Sequence, residues 1–331
     1  MDYTAINTIL ESPKTIAITA HKSPDGDAIG STLALYHVLL DLGHNCRVIV
    51  PDAFPKFLNW MKGSHSIMIF DEDIEKAKSF VLGSDVVFCL DYNNLDRVGE
   101  LGEAILASSA KTILIDHHLY PDTIFDFALS HTSASSTAEL VYDFLNQLQL
   151  TDRIDVPIAQ CLYAGIMTDT GSFRFSSTTA HTHEIVASLM NKGLEPTSVH
   201  QSIYDTNSIS RLRLTGYALS SCLEVVANGK AAIIPLSLKD KNRFGYVKGD
   251  TEGLVNYGLS IDGVEVAVLL SEELNLVKFS FRSKGRVNVN EVARASFNGG
   301  GHRNAAGGKL DVQLDEAKSK LIKVLEQLDY E

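Results

Sequence analysis

Four separate stretches of the chain carry carboxylates and imidazoles that could act together. They are His21-Lys-Ser-Pro-Asp25-Gly-Asp27, Asp91 closing VVFCLD, the tripeptide Asp116-His117-His118, and Asp169 in GIMTDTG. Asp25 and Asp27 flank a glycine and are close enough to serve two neighbouring cations, one each; Asp is also favoured in turns and at helix N-caps. Asp91 ends an otherwise apolar run, where it can bridge two metals or open an Asx turn. Two adjacent histidines after a buried strand have no packing rationale. Neutral imidazole binds Mn, Fe, Co or Zn, and a neighbouring imidazolium holds a phosphate oxygen. Mixed Asp and His ligation favours Mn²⁺ or a similar transition metal over Mg²⁺, which prefers oxygen and water. Two such ions about 3.5–4 Å apart clamp a phosphoryl group and lower the pKa of a bridging water. The chemistry expected is phosphoester hydrolysis.

A second set of residues lies far downstream, in SFNGGGHRNAAGG. Gly299, Gly300 and Gly301 permit close backbone approach to a ligand, and His302 adds a donor or a stacking face. Upstream, Arg282 and Ser283 in SFRSKG are suited to holding a phosphate or the end of a nucleotide. A glycine run can equally be a mobile loop, and charge bears on the choice. The chain carries a formal net charge of −12, yet Lys278 to Lys309 contains seven Lys or Arg and a single acid, Glu291. A local basic strip on an acidic body suits a small polyanion better than a long duplex.

The elements that must position these residues are legible in the first half. TIAITA (15–20), CRVIV (46–50), VVFCL (86–90) and TILI (112–115) have the length and composition of buried strands. Between the first two, Ile29, Leu33, Leu35, Leu39 and Leu40 follow helical spacing up to Gly43. Strand–helix–strand repetition predicts an α/β fold with a doubly wound, mainly parallel sheet, whose ligands bind at the strands' carboxyl ends. His21, Asp91 and Asp116 each follow such a run directly. STAELVYDFLNQL, VPIAQCLYAGIMTD and HTHEIVASLMNKG predict further helices, the second carrying Asp169 near its C-terminal end. Beyond a polar helical stretch the pattern changes. EVVANGKAAIIPL reads as two strands around an Asn-Gly turn and VEVAVLLSEELNLVKFSFRS as another hairpin. The expected organisation is a metal-binding domain over 1–194, a helical linker over 195–223, and a smaller α+β substrate-binding domain over 224–331 across a cleft.

At 331 residues and 45% hydrophobic content, the chain can bury a core of this size, and 21% charged residues argue against long disorder. The N-terminal residues lack the basic start and apolar run of a signal peptide. No stretch approaches the roughly 20 apolar residues that span a bilayer. Cys46, Cys89, Cys161 and Cys222 are widely separated, without metal spacing, and read as buried thiols of a reducing compartment. The expectation is a cytoplasmic protein with no membrane partner.

These motifs resemble those of the DHH phosphoesterases, a family named for the tripeptide at Asp116-His117-His118. HKSPDGDAIGS resembles the first family motif, Asp91 the second and GIMTDTG the fourth, while FRSKGRVNVNEVARASFNGGGHRNAAGG resembles the DHH-associated C-terminal domain. Length and arrangement are most similar to the oligoribonuclease (nano-RNase) and pAp phosphatase branch. The resemblance implies two Mn²⁺ ions per chain, or other divalent transition metals. His21 and Asp25 would hold one ion, Asp27, His117 and Asp169 the other, and Asp91 would bridge them. It implies that His118 contacts the scissile phosphate, and that Gly300, Gly301 and His302, with Arg282 nearby, hold the substrate's nucleotide. The implied reaction is hydrolysis of very short RNA to mononucleotides and of 3′-phosphoadenosine 5′-phosphate (pAp) to AMP, by a two-metal, bridging-hydroxide mechanism. A homodimer is implied as well. Asn298 stands where the family often has a further glycine and Ser172 where this branch often has arginine; neither is a metal ligand. Two rivals remain at this level: a cyclic di-AMP or linear pApA phosphodiesterase using the same site, and a non-catalytic nucleotide-binding module.

Overall fold

In a computed structural model that describes residues 1–330, the chain divides into a unit spanning Met1–Thr206 and a second that begins at Asn207. The division falls inside the polar stretch 195–223. The first unit begins with α1 (Tyr3–Leu10), β1 (Thr15–Thr19), α2 (Gly26–Asp41) and β2 (Asn45–Val50). It continues through β3 (Met68–Ile69), α3 (Ile74–Leu82), β4 (Val86–Leu90), α4 (Glu100–Ala107), β5 (Lys111–Asp116) and β6 (Phe127–Ser130). Helices α5 (Thr137–Gln147), α6 (Val156–Asp169), α7 (Ala180–Asn191) and α8 (Pro196–Tyr204) complete it.

The strand order is β3-β2-β1-β4-β5-β6, with every neighbouring pair parallel. Chain direction across the sheet therefore reverses between β1 and β4, the point at which doubly wound sheets bind ligands. Alternation along each strand feeds two cores. Ile16, Ile18, Val48, Phe88, Ile113 and Ile115 pack with α2, α5 and α6, whereas Ala17, Ile49, Val87, Cys89 and Leu114 pack with α3 and α4. Because both faces are covered, β4 is buried at every position, which explains its uninterrupted apolar sequence. Two strands at the sheet edges, β3 and β6, were not expected from the sequence. Both are short and partly exposed, so neither leaves a periodic apolar signature.

Helices α2 and α6 meet through glycine. A Cβ on Gly30 would sit 2.4 Å from the Cys161 carbonyl oxygen, so only a hydrogen fits where the helices cross. This close approach brings the N-terminal turn of α2 beside the C-terminal half of α6, and with them Asp27 and Asp169.

The second unit comprises α9 (Ile209–Tyr217), β7 (Glu224–Val226), β8 (Ala231–Leu236), α10 (Leu238–Arg243), α11 (Leu254–Leu259), β9 (Val266–Glu272) and β10 (Val277–Ser283). It continues with α12 (Val289–Ser296), β11 (Gly300–His302), β12 (Ala305–Leu310) and α13 (Leu314–Leu325). Its sheet runs β11-β12-β10-β9-β8-β7, antiparallel except for the β8–β9 pair. Phe279, Phe281 and Phe297 form its centre, with ring centroids 4.7–5.9 Å apart. All four cysteines are buried thiols, and burial pushes Cys46, Cys89 and Cys161 up to about 12. Among the described residues, no helix is long and apolar enough to cross a membrane.

Candidate functional site

Each chemical residue of the first unit is placed by an element terminus. After β1, Pro24 turns the chain and Asp25 becomes the N-cap of α2, its Oδ1 accepting from the amides of Asp27 (3.0 Å) and Ala28 (3.1 Å). Asp25 thus does what its turn-and-cap chemistry predicts while also facing His21. Asp27 enters the first turn of α2, Asp116 ends β5 and Asp169 ends α6. Asp91 leaves β4 with φ of 63°, a left-handed conformation that Asp tolerates better than most residues.

The two oxygens of Asp91 face different groups. Oδ2 lies 3.3 Å from His21 Nε2, which is itself 3.9 Å from Asp25 Oδ1. Oδ1 lies 3.6 Å from His117 Nε2, and that nitrogen is 3.8 Å from Asp27 Oδ2 and 3.5 Å from Asp169 Oδ2. His21, Asp25 and Asp91 form one convergent triad and Asp27, His117 and Asp169 another, with candidate ligand atoms within 4.8 Å of one another in each. Both histidines are oriented from behind: Nδ1 of His21 meets the Lys22 carbonyl at 2.9 Å and Nδ1 of His117 meets that of Ala134 at 3.3 Å. An imidazole that donates from Nδ1 keeps its lone pair on Nε2, the atom turned toward the carboxylates, as a metal ligand requires.

The electrostatics are those of a site built for positive charge. Burial, then the neighbouring carboxylates of Asp91, Asp169 and Asp25, raise the Asp27 carboxyl well above its ordinary value. Burial would also raise Asp91, but the hydrogen bond from His21 and the nearby imidazoles hold it below the usual carboxylate range. Burial disfavours charge on His21 and His117, yet the surrounding aspartates raise both. Four aspartates drawn this close repel one another, and a divalent cation relieves that repulsion. The donor set therefore fits divalent metal.

His118 is held differently. Asp116 is fully buried; its Oδ1 pairs with His118 Nδ1 at 2.7 Å and its Oδ2 accepts the His118 backbone N–H at 3.0 Å. Burial and then Asp91 push Asp116 up to about 6, while burial and then Arg97 lower His118 well below the ordinary imidazole value. The role of Asp116 as a brace for its own neighbour was not read from the sequence, where it counted only as part of the tripeptide. A second missed feature is the N-terminus of α5. Its amides at Thr137 and Ala138 donate to the two oxygens of Asp27 at 2.6 and 2.8 Å, and the Thr137 hydroxyl donates to Asp91 Oδ1 at 2.9 Å. The available signal was Ser136-Thr-Ala-Glu139, an N-cap pattern that marks where unpaired helix amides will point.

Gly165 on α6 lies directly against this arrangement. A Cβ there would come within 2.6 Å of the Ala138 Cβ and 2.8 Å of Asp27 Oδ1. Gly165→Ala is expected to lower stability by about 1–3 kcal/mol, the usual cost of overpacking, and to weaken cation binding by displacing Asp27. Thermal melts with and without divalent cation check this; an alanine protein as stable as wild type, with the same cation response, would contradict it.

In the second unit, β10, β12 and β11 bring the downstream residues together. Arg282 pairs in register with Ala305, and His302 pairs with Ala305 from the other side. Arg282 Nη1 donates to its neighbour's carbonyl, Phe281 O, at 2.9 Å. Ser283 is buried and its hydroxyl donates to Val287 O at 2.8 Å while accepting from Asn304 Nδ2 at 2.9 Å, so it braces the loop. Gly301 has φ of 146°, and a Cβ there would meet the Ala305 carbonyl oxygen at 2.5 Å, which accounts for the glycine.

The profile of the DHH family, N-terminal domain, matches residues 15–166, and that of the DHHA1 domain matches residues 228–328. A protein of Streptococcus mutans described as a probable bifunctional oligoribonuclease and PAP phosphatase is 32% identical over 310 residues, covering 92% of this chain and 93% of that protein. The bifunctional oligoribonuclease and PAP phosphatase of Bacillus subtilis is 28% identical over 304 residues, covering 92% and 91%. The crystal structure of an exopolyphosphatase-related protein from Bacteroides fragilis superposes with a TM-score of 0.93 at 40% identity, covering 98% of this chain and 95% of that one. With both domain profiles matched in order and a relative of this identity aligned along nearly its whole length, the chain belongs to the DHH family.

Proposed function

We propose that this protein is a phosphoesterase that hydrolyses very short RNA oligonucleotides to mononucleotides and pAp to AMP, using two divalent cations, with Mn²⁺ the best match to the donors. The observation that carries the reading is Asp91, whose two oxygens each face a separate His/Asp group. It is supported by the relatives described as oligoribonucleases and PAP phosphatases, which align over most of the chain. His21 and Asp25 would hold one cation and Asp27, His117 and Asp169 the other, with Asp91 shared. Divalent cations held there supply Lewis-acid stabilisation of the phosphoryl oxygens and a more acidic water.

The chain's own residues do the rest. Asp116 holds the His118 ring at Nδ1 and its backbone at N–H, leaving Nε2 on the far side of the ring as the atom to offer the scissile phosphate. Burial and Arg97 oppose a second proton on His118, whereas a phosphoryl anion brought to Nε2 would favour one. With Asp116 ionised, a proton taken up there would make a charge-assisted donor to a phosphoryl oxygen. Arg282 and the loop of Gly300, Gly301 and His302 would hold the substrate's nucleotide, with Ser283 keeping the loop in place. An acidic chain with a basic strip of this size favours a substrate of few phosphates.

The test is a substrate panel with Mn²⁺: an RNA dimer, a long single-stranded RNA, pAp, linear pApA, cyclic di-AMP and pyrophosphate. Rapid turnover of dimer and pAp, with slow cleavage of the long RNA, is the expected result. Equal rates on dimer and long RNA would refute the length preference. Preference for cyclic di-AMP would reassign the substrate while leaving the chemistry in place, and no turnover of any phosphoester would leave a nucleotide-binding module.

A further inference from the structure

The carboxylates of Asp27 and Asp91 come from different strand–helix junctions, 64 positions apart in the chain, that follow the paired strands β1 and β4. Buried Thr137 hydrogen-bonds to both. The backbone N–H of Thr137 donates to Asp27 Oδ2 at 2.6 Å and its side-chain hydroxyl donates to Asp91 Oδ1 at 2.9 Å. The neighbouring amide of Ala138 takes the second oxygen of Asp27 at 2.8 Å. Thr137, Ser135 and Ser136 have no exposure to solvent.

The residue is itself held from behind. Ser136 caps α5 by accepting the Glu139 amide at 3.0 Å. Glu139, almost fully buried, accepts the Ser135 hydroxyl at 2.6 Å and the Thr182 hydroxyl of α7 at 2.7 Å. The first turn of α5 is therefore fixed to α7 on one side and presents its donors to two aspartates on the other. Gly165 keeps α6 close enough to complete the enclosure.

We propose that Thr137 is a positioning residue that sets the separation of the two cation positions by registering Asp91 against Asp27. The inference rests on the metal-centre reading above. The geometry assigns distinct tasks to its two donors. The amide belongs to the helix terminus and would be present with any residue but proline, whereas the hydroxyl on Asp91 depends on Thr or Ser. That hydroxyl takes one lone pair of Asp91 Oδ1, the oxygen that lies 3.6 Å from His117 Nε2. Asp91 Oδ2, facing His21, has no contact with Thr137 among those above, so loss of the hydroxyl falls chiefly on the cation held by Asp27, His117 and Asp169.

The experiment is calorimetric titration of Mn²⁺ into chelator-treated full-length protein, comparing wild type, Thr137→Val and Thr137→Ser. Valine keeps the volume and the backbone donor and removes only the hydroxyl; Thr137→Ala is the companion should valine fail to fold. The expected result is two binding events in wild type, with one weakened by about 10–100-fold in Thr137→Val, the usual scale for losing a partner behind a metal ligand. Thr137→Ser is expected to restore it. Wild-type binding of both ions by Thr137→Val would overturn the role of Thr137 alone. A weakened serine variant would also overturn it, because packing and not the hydroxyl would then be responsible. Absence of any Mn²⁺ binding by wild type would sink the metal-centre reading beneath it.

Discussion

Asp91→Asn is expected to lower turnover of an RNA dimer by about 10³-fold or more, the scale reached when a group that stabilises transition-state charge is deleted from an active site. Asparagine is the informative replacement because Asp91 sits at φ of 63°, which Asn adopts readily and Ala does not. The amide oxygen can still accept from Thr137, so the change isolates charge from shape. Two consequences separate this variant from a folding defect. Divalent cation should raise the thermal midpoint of wild type by mass action and raise that of Asp91→Asn far less, since the carboxylate proposed to be shared is gone. Meanwhile the metal-free melting curves should stay close together. Wild-type turnover by Asp91→Asn would remove the central argument for a shared cation site, whatever the substrate.

How far the sequence led can be judged at single residues. Parallel strands covered on both faces become unbroken apolar runs, so VVFCL identified β4 and the aspartate that ends it. The doubly wound order then supplies convergence: His21 meets Asp91 at the switch point between β1 and β4, and Asp116, at the end of the neighbouring β5, is grouped with Asp91 and His118. Asp169 was legible because α6 ends on it.

What stayed hidden is non-local or rotameric. The hydroxyl of Thr137 finds Asp91 from 46 positions away, and no periodicity encodes a single hydrogen bond across that distance. Asp25 could be read as a cap or a ligand; the fold lets one side chain cap α2 and face His21, so the alternatives did not exclude each other. Asp116 and Asp91 look alike in sequence, each an aspartate at the end of an apolar strand. Their difference is conformational. Asp91 turns through a left-handed residue into the site, while Asp116 stays within β5 and folds its carboxylate onto the residue two positions later.

That difference makes Asp116→Asn the second large effect. The carboxylate accepts two donors from His118, one on each oxygen. An amide offers one oxygen and one NH₂. The backbone N–H of His118 cannot change its character, so the amide oxygen must remain there and the NH₂ must turn to Nδ1. The ring then has to accept at Nδ1 and carry its proton at Nε2, and a doubly protonated imidazolium would set two donors against each other. His118 loses its access to positive charge while keeping its place. Losing a charge-assisted hydrogen bond costs about 1.5–3 kcal/mol, and forcing the wrong tautomer on a catalytic histidine costs up to about 10⁴-fold. The expected fall in kcat therefore lies between about 10² and 10⁴, with a smaller change in KM, because the charge on the phosphoryl oxygens is greatest in the transition state. Cation binding decides what the loss means. Wild-type Mn²⁺ affinity with lost turnover would establish Asp116 as the brace of His118. Loss of a bound ion together with turnover would make Asp116 a ligand instead, and unchanged turnover would show that His118 does not need the carboxylate at all.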